Sequence, residues 1–394
     1  MRPDRVASGQ TLVVEGDRII DIVSGLRLAG DRDVHHACDG RFIVPGFVDV
    51  HVHGAVGIDV LEGAGAVAAL ARRLPRWGVT AFCPTSIACD PPTLAVLLQS
   101  VAALRLEPPA GARVLPAHLE SNFINPEFRG AQPRGCLRTF RGGGSGADAA
   151  PAEDFTAADV IAVVDHHRAD VGVFTMAPEL EGGLELLQRL VGYGIRVSLG
   201  HSGATFDEAS EAIRAGATHA THVFNRMSPM SHREPGLTGA VLSHEEVAAE
   251  LICDGHHVHP AAMRVAIGAK TPARLMAITD GTAGSGLPPG SRARLGGQPI
   301  TVAEVARLDD GTMAGSVLTM DRAFACLVTR CGLDLVQAAH MCATTPAREM
   351  RLHGTGALVP GALADFVVLD AQLEVVETWV GGNQVFRREA PAAD

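Results

Sequence analysis

The chain has 394 residues, 47% of them hydrophobic, which is enough for one large core with a smaller unit beside it. A net charge of −11 argues against a nucleic-acid surface, because neutralising phosphates takes a basic face. No apolar run reaches the ~18–20 residues that cross a bilayer, and no signal-like segment opens the chain, so neither a membrane nor export is expected.

The first forty-odd residues read as short strands and turns, with "TLVVEGDRIIDIVSG" broken at "EGD". The last fifty read the same way. Neither segment can bury a core alone, so residues 1–44 and 346–394 are expected to pair into one small β-sandwich. Residues 45–345 form a different pattern of eight apolar runs: "FVDVHVH", "VTAFCPT", "RVLPAHLE", "VGVFTMAPE", "IRVSLGH", "ATHATHVFN", "AELICDGHH" and "LMAITD". Most precede a helix-like stretch such as "TFDEASEAIRAG". Apolar strands alternating with helices mean a parallel sheet with covered faces, and eight units mean an α/β fold closed into a (β/α)8 TIM-like barrel. An open doubly wound sheet is disfavoured because no glycine-rich phosphate loop follows any run. Eight scattered cysteines without a CxxC pair suggest buried thiols in a reducing, cytoplasmic setting.

The runs end in polar, metal-capable groups: His51 and His53, Thr85, Glu120, Glu179, His201, His222, Asp254 with His257, and Asp280. In a barrel those ends share one mouth, where active sites are built. Alternation puts Asp49, His51 and His53 on one face of the first strand. The two imidazoles project the same way, about 7 Å apart along the strand, within reach of one ion. Elsewhere an HxH pair is compatible with two half-exposed strand histidines. Glu120, His201 and His222 could complete a borderline-hard set suited to zinc, with iron, cobalt or manganese as alternatives. His219 is the rival to His222, since alternation over three residues lets only one point inward. Asp280 is the candidate proton shuttle, or else caps the next loop. A divalent cation beside it would lower the pKa of a water from ~15.7 to ~7. No GxSxG elbow supports a serine hydrolase.

HxH after "PGFVD", then Glu, His, His and a final-strand Asp, resembles the amidohydrolase superfamily. The stretches "HLESNFINPEFRGAQP", "LGHSGATFDEA", "ATHATHVFNRMSPMSHREPGLTGA", "ICDGHHVH", "ITDGTAGSG" and "GTMAGSVLTM" resemble the N-acetylglucosamine-6-phosphate deacetylase family in order and spacing, over nearly the whole chain. The resemblance implies removal of the N-acetyl group from N-acetylglucosamine 6-phosphate, giving acetate and glucosamine 6-phosphate. It selects His222 over His219. It makes Glu120, His201 and His222 ligands of a principal divalent metal and His51 and His53 ligands of a second, with Glu120, and on one reading Asp280, between the ions, so one or two ions are expected. It assigns acid–base catalysis to Asp280 and sugar contact to His257. Phosphate contacts fall to Asn225, to Arg226 through its backbone, and to Arg233 reaching across a homodimer. A surface ion pair between Arg233 and Glu234 is the plainer alternative. Ala131 and Gln132 lie by the acyl group, and Met313, Ala314 and Gly315 lie along the substrate.

Two departures stand out. Gln132 replaces a histidine that other members carry near the carbonyl. Ser121-Asn122 replaces Gly-Pro after the ligand glutamate, which is expected to add polar groups beside the metal, free the loop and bear on acyl group or epimer. The Gly/Ala-rich stretch 133–154 is expected to be an insertion with a lid-like start. Alternatives are the galacto epimer or another N-acyl substrate, cyclic-amide opening or nucleobase deamination, and a non-catalytic binding protein. The deaminase-type option is poor because the only lysine, Lys270, is expected in a helix-to-strand connection.

Overall fold

A computed structural model describes residues 1–25, 34–141 and 154–389. Each of the eight apolar runs contains a strand of one parallel barrel: β1 (Phe47–Val52), β2 (Val79–Ser86), β3 (Ala117–Glu120), β4 (Val171–Met176), β5 (Arg196–Leu199), β6 (His219–Ala220), β7 (Ala248–Ile252) and β8 (Leu275–Ile278). The strands neighbour one another in chain order, with Glu120 opposite Thr175 and Ser198 opposite His219. The seam between first and last strands is closed by Asp280 N–H donating to His51 O (2.9 Å) and His53 N–H to Gly281 O (2.8 Å).

Helices α1 (Ala66–Arg73), α2 (Pro91–Leu106), α3 (Ala157–His166), α4 (Gly183–Gly192), α5 (Phe206–Arg214), α6 (Gly236–Ser243), α7 (Pro260–Lys270) and α8 (Met320–Thr329) follow the strands in turn. Their starts are written locally. Thr156 with Asp159 and Thr205 with Glu208 form reciprocal capping boxes at α3 and α5, and Asp90 caps α2 ahead of Pro91 and Pro92. Leu186, Leu187 and Leu190 of α4, like Val160, Ile161 and Val164 of α3, are buried on the face turned to the barrel. Lys270 closes α7 rather than lying in the connection after it, and its ammonium donates to His244 O.

Phe42–Pro45 joins three C-terminal strands, Phe366–Leu369, Val375–Val380 and Asn383–Arg387, in an antiparallel sheet. Against it packs the hairpin of Gln10–Glu15 and Arg18–Ser24, whose Ile19 is buried among Phe366, Val368 and Val376. Both ends of the chain thus build one apolar cluster.

The unexpected element follows β8. Arg292–Leu295, Gln298–Val302 and Ala306–Leu308 form a three-stranded antiparallel sheet packed on Ile87 and Ala131 at the barrel mouth. Its first turn is Gly296-Gly297 with φ of 55° and 81°, the left-handed pair that a two-residue hairpin needs. Of the expected lid, Pro133 to Arg141 are described, with Cys136 and Leu137 buried against Ala88 and Ile124. The remainder of the lid lies outside the described residues, except Asp154.

Candidate metal centre

Glu120 ends β3 with its carboxylate buried at the centre of the mouth. Its Oε1 is 2.7 Å from His201 Nε2, 2.9 Å from His222 Nε2 and 3.9 Å from His51 Nε2, and its Oε2 is 3.7 Å from His53 Nε2. Asp280 Oδ1 lies 3.3 Å from His51 Nε2 and 3.2 Å from His53 Nε2. All six residues expected to hold metal therefore meet in one place, 7% exposed at most.

Backbone geometry explains how they meet. His201, His222 and Asp280 each sit two residues beyond the end of a strand, and each has a left-handed φ, of 49°, 32° and 49°. Such conformations cost a non-glycine residue about 1 kcal/mol or more and collect at functional sites. Here they turn three side chains over the axis. The same turn corrects the expected alternation between His219 and His222. Strand β6 stops at Ala220, so both histidines are buried, His222 at the mouth and His219 toward the opposite end.

The residues fit a cation. His53 Nδ1–H donates to Thr85 O (2.9 Å) and His201 Nδ1–H to Phe128 O (2.8 Å), leaving each Nε2 a lone pair. Yet His51 Nε2 faces His53 Nε2 at 3.2 Å, and His201 Nε2 faces His222 Nε2 at 3.1 Å. Acceptors aimed at acceptors repel unless positive charge lies between them. The proton affinities say the same. Burial opposes charge on His53, but its hydrogen bond to Asp280 and the nearby Glu120 push its pKa up to about 9. Burial likewise opposes charge on His222, and Glu120 outweighs it, again to about 9. Burial would raise Glu120, but His201 and His222 hold it well below the usual range.

Protons and a cation thus compete for one site. Below pH 9 a cation must displace protons from His53 and His222, so cation affinity is expected to rise with pH and level off near 9. Calorimetry in buffers of different ionisation enthalpy should show proton release at pH 7, and an affinity flat from pH 6 to 9 would refute this.

Beneath the centre lies a polar network that the sequence reading missed. His51 Nδ1–H donates to Glu250 Oε2 (2.8 Å), which also lies 3.3 Å from His222 N. His118 Nδ1 donates to Val50 O, and its Nε2 meets Thr175 Oγ1 at 2.7 Å, which continues through Thr221 to Ser198. Burial raises Glu250 to about 7, with His118 and His222 opposing. Two signals were available: His118 and Glu120 share a strand face as His51 and His53 do, and Glu250 is a lone acid within "AAELI". Partners that orient a ligand are worth ~10–100-fold in metal affinity. Glu250→Gln is expected to weaken metal binding by that factor in a chelator competition, while circular dichroism stays unchanged.

The other expected site residues are spread around the rim. Gln132 Oε1 accepts from Ala88 N (2.7 Å), and its amide nitrogen contacts Glu120 Oε2, so one of its two N–H groups is already committed to the carboxylate. Ala131 O accepts from Gln298 of the extra sheet. His257 Nδ1 is fixed by Asp254 (2.6 Å). Asn225 Nδ2 bonds His222 O (3.3 Å) in the bend that carries Arg226, itself at φ 52°. Arg233 is exposed and forms no ion pair with Glu234 among the described residues. Met313 and Ala314 lead to Gly315, where φ is 60° and a Cβ would come within 3.0 Å of Asp280 O. The expectation for Ser121 and Asn122 is corrected. Ser121 donates to Thr175 O, and Asn122 donates to Cys89 O and Cys136 O, so both hydrogen-bond to backbone and tie the loop down.

A parallel barrel whose strand ends gather four histidines, a glutamate and an aspartate defines a class. The amidohydrolase family profile matches residues 42–385, and the chain belongs to that metal-dependent family. It is 38% identical to an N-acetylglucosamine-6-phosphate deacetylase of Danio rerio over 91% of this chain and 88% of that one. It is 34% identical to an N-acetylgalactosamine-6-phosphate deacetylase of Escherichia coli O157:H7, over 88% of each. A crystal structure of the Mycobacterium smegmatis N-acetyl-D-glucosamine-6-phosphate deacetylase superposes with a TM-score of 0.82 at 32% identity, covering 95% of both chains.

Proposed function

We propose that this chain hydrolyses the acetamide of N-acetylglucosamine 6-phosphate, releasing acetate and glucosamine 6-phosphate. The observation that carries the reading is the convergence of His51, His53, His201 and His222 on Glu120, with Asp280 beside them at 3.2–3.3 Å. The names of the relatives supply the substrate, with the gluco epimer favoured over the galacto.

Glu120, His201 and His222 would hold a principal divalent cation, and His51 and His53 with Asp280 a second. Zinc suits the nitrogen and oxygen donors best. Such an ion supplies a Lewis acid and a water acidified to a pKa of ~7. Asp280 takes the water's proton at its carboxylate and delivers it to the departing amine nitrogen. Burial works against its charge, but His53 and His51 hold its pKa below the ordinary value, so it starts as a base. Gln132 and His257 orient the acetyl group and sugar. Arg233 reaches the phosphate across a homodimer, where its fork suits two phosphate oxygens. Among the described residues Cys38, Cys83, Cys253, Cys326, Cys331 and Cys342 are free thiols, which suits a cytoplasmic setting.

Acetate release measured on N-acetylglucosamine 6-phosphate, its galacto epimer and the unphosphorylated sugar tests the reading. Turnover is expected to be fastest on the phosphorylated gluco epimer. Arg233→Ala should raise KM about tenfold or more on phosphorylated substrate and leave the unphosphorylated one unaffected. Equal rates with and without phosphate would remove Arg233 from its role.

A further inference from the structure

The barrel has a second charged interior, at the end opposite the metal centre. Arg196 opens β5 on the same strand face as Ser198, whose hydroxyl bonds Thr221 inside the barrel. His219 opens β6 directly opposite Ser198 and is 1% exposed. Both side chains therefore belong to the barrel floor. The end of helix Thr345–Glu349 reaches the floor, with Glu349 Oε2 3.9 Å from His219 Nε2.

The floor is short of negative charge. Arg274 and Arg348 reach Glu349 at 3.5 and 2.6 Å. Arg196 and Arg351 also act on His219, yet neither guanidinium has a hydrogen bond or ion pair among the described residues. Among the described residues Glu349 is the carboxylate that pairs with His219, Arg274 and Arg348, while Arg196 and Arg351 pair with none. Arg196 Nη2 and His219 Nε2 are both buried without a partner. Burial, then Arg196, pushes His219 down to about 3, so its ring is neutral and has one N–H to give. With the Thr218 hydroxyl 3.1 Å from Nδ1, that N–H can sit on Nε2 and point into the cluster. For Arg196, whose Nη2 is buried, the missing partner is a cost that a network built for stability would avoid. Arg351 adds a local cost: it holds φ 54° at the helix end, a position glycine fills without strain.

We propose that the floor of the barrel, at Arg196, His219, Arg274 and Arg351, is a binding site for a phosphate-class oxyanion. Guanidinium forks match tetrahedral oxyanions in pairs of parallel hydrogen bonds, and a dianion offsets the surplus better than a carboxylate. Exposed Arg351 and Arg348 with half-buried Arg274 form the rim through which it enters, and His219 the innermost donor. The site stands apart from the activity proposed above, since it shares no residue with the mouth.

The test uses the metal-loaded, full-length protein carrying Arg233→Ala, so that the mouth contributes least. Inorganic phosphate is titrated at constant ionic strength while heat and Tm are read. A saturable stabilisation is expected, weakened about tenfold or more by Arg196→Gln and again by Arg351→Gly, which relieves the backbone and should not lower the phosphate-free Tm. Acetate release in an otherwise wild-type Arg196→Gln protein should be unchanged. A parallel titration with methyl phosphate separates the sources: equal binding supports a phosphomonoester, and loss of binding supports the free anion. No saturable response, or one that survives both substitutions, overturns the proposal.

Discussion

Replacing Asp280 with asparagine is expected to lower kcat on N-acetylglucosamine 6-phosphate by roughly 10²- to 10⁴-fold, the range spanned by a positioned general base. KM should move little, because the lost interaction is with a proton in flight. The substitution keeps the shape and one oxygen, and Asp280 is held by its backbone: its N–H donates to His51 O, and its O accepts from Ser316 N (2.7 Å). The side chain should stay where it is. Glu120, His201 and His222 remain, so the principal metal, measured by emission spectroscopy, should stay near one ion per subunit. An Asp280→Asn enzyme that loses its metal along with its activity would make Asp280 a ligand first and a base second. One that retains full turnover would end the acid–base assignment.

Glu120→Gln should fail in the opposite manner. Glu120 is the anion that His201, His222, His51 and His53 all face, and its charge is a leading cause of the raised pKa values of His53 and His222. Removing one partner from a buried charged cluster costs about 3–5 kcal/mol, or a factor of roughly 10² to 4 × 10³ if it is all lost from affinity. Metal content after gel filtration and activity should therefore fall together, and excess zinc should restore part of both. The asparagine variant at 280 should not respond to added zinc. Glu120→Gln with full metal and lost turnover would reverse the two roles.

The contrast shows what could be read from residues alone. Strand periodicity places His51, His53 and Glu120, because His51 and Glu120 lie within strands where every second side chain faces inward and His53 continues the alternation one residue past β1. The same rule applied to His118 would have exposed the network beneath the centre. His201, His222 and Asp280 obey no such rule, since they lie past the strand ends in left-handed turns. Their directions follow from φ, which side-chain chemistry does not announce, and family resemblance was needed to choose His222 over His219. Ser121 and Asn122 failed for another reason. Their hydrogen-bond partners, Thr175 O, Cys89 O and Cys136 O, come from distant segments. The sheet after β8 was overlooked although Gly296-Gly297 between two short β-prone runs is a local hairpin signal.

The seam joining β1 to β8 has a bearing on biosynthesis. Donors proposed for the second cation come from positions as far apart as 51 and 280, at the ends of the two strands that the seam joins. A polypeptide emerging from the ribosome must expose its final strand before this second set can close, so the second ion belongs to the finished protein, whereas Glu120, His201 and His222 are all made before that strand. Once loaded, that second ion would fasten the beginning of the cylinder to its end, and its removal should loosen that join before any other.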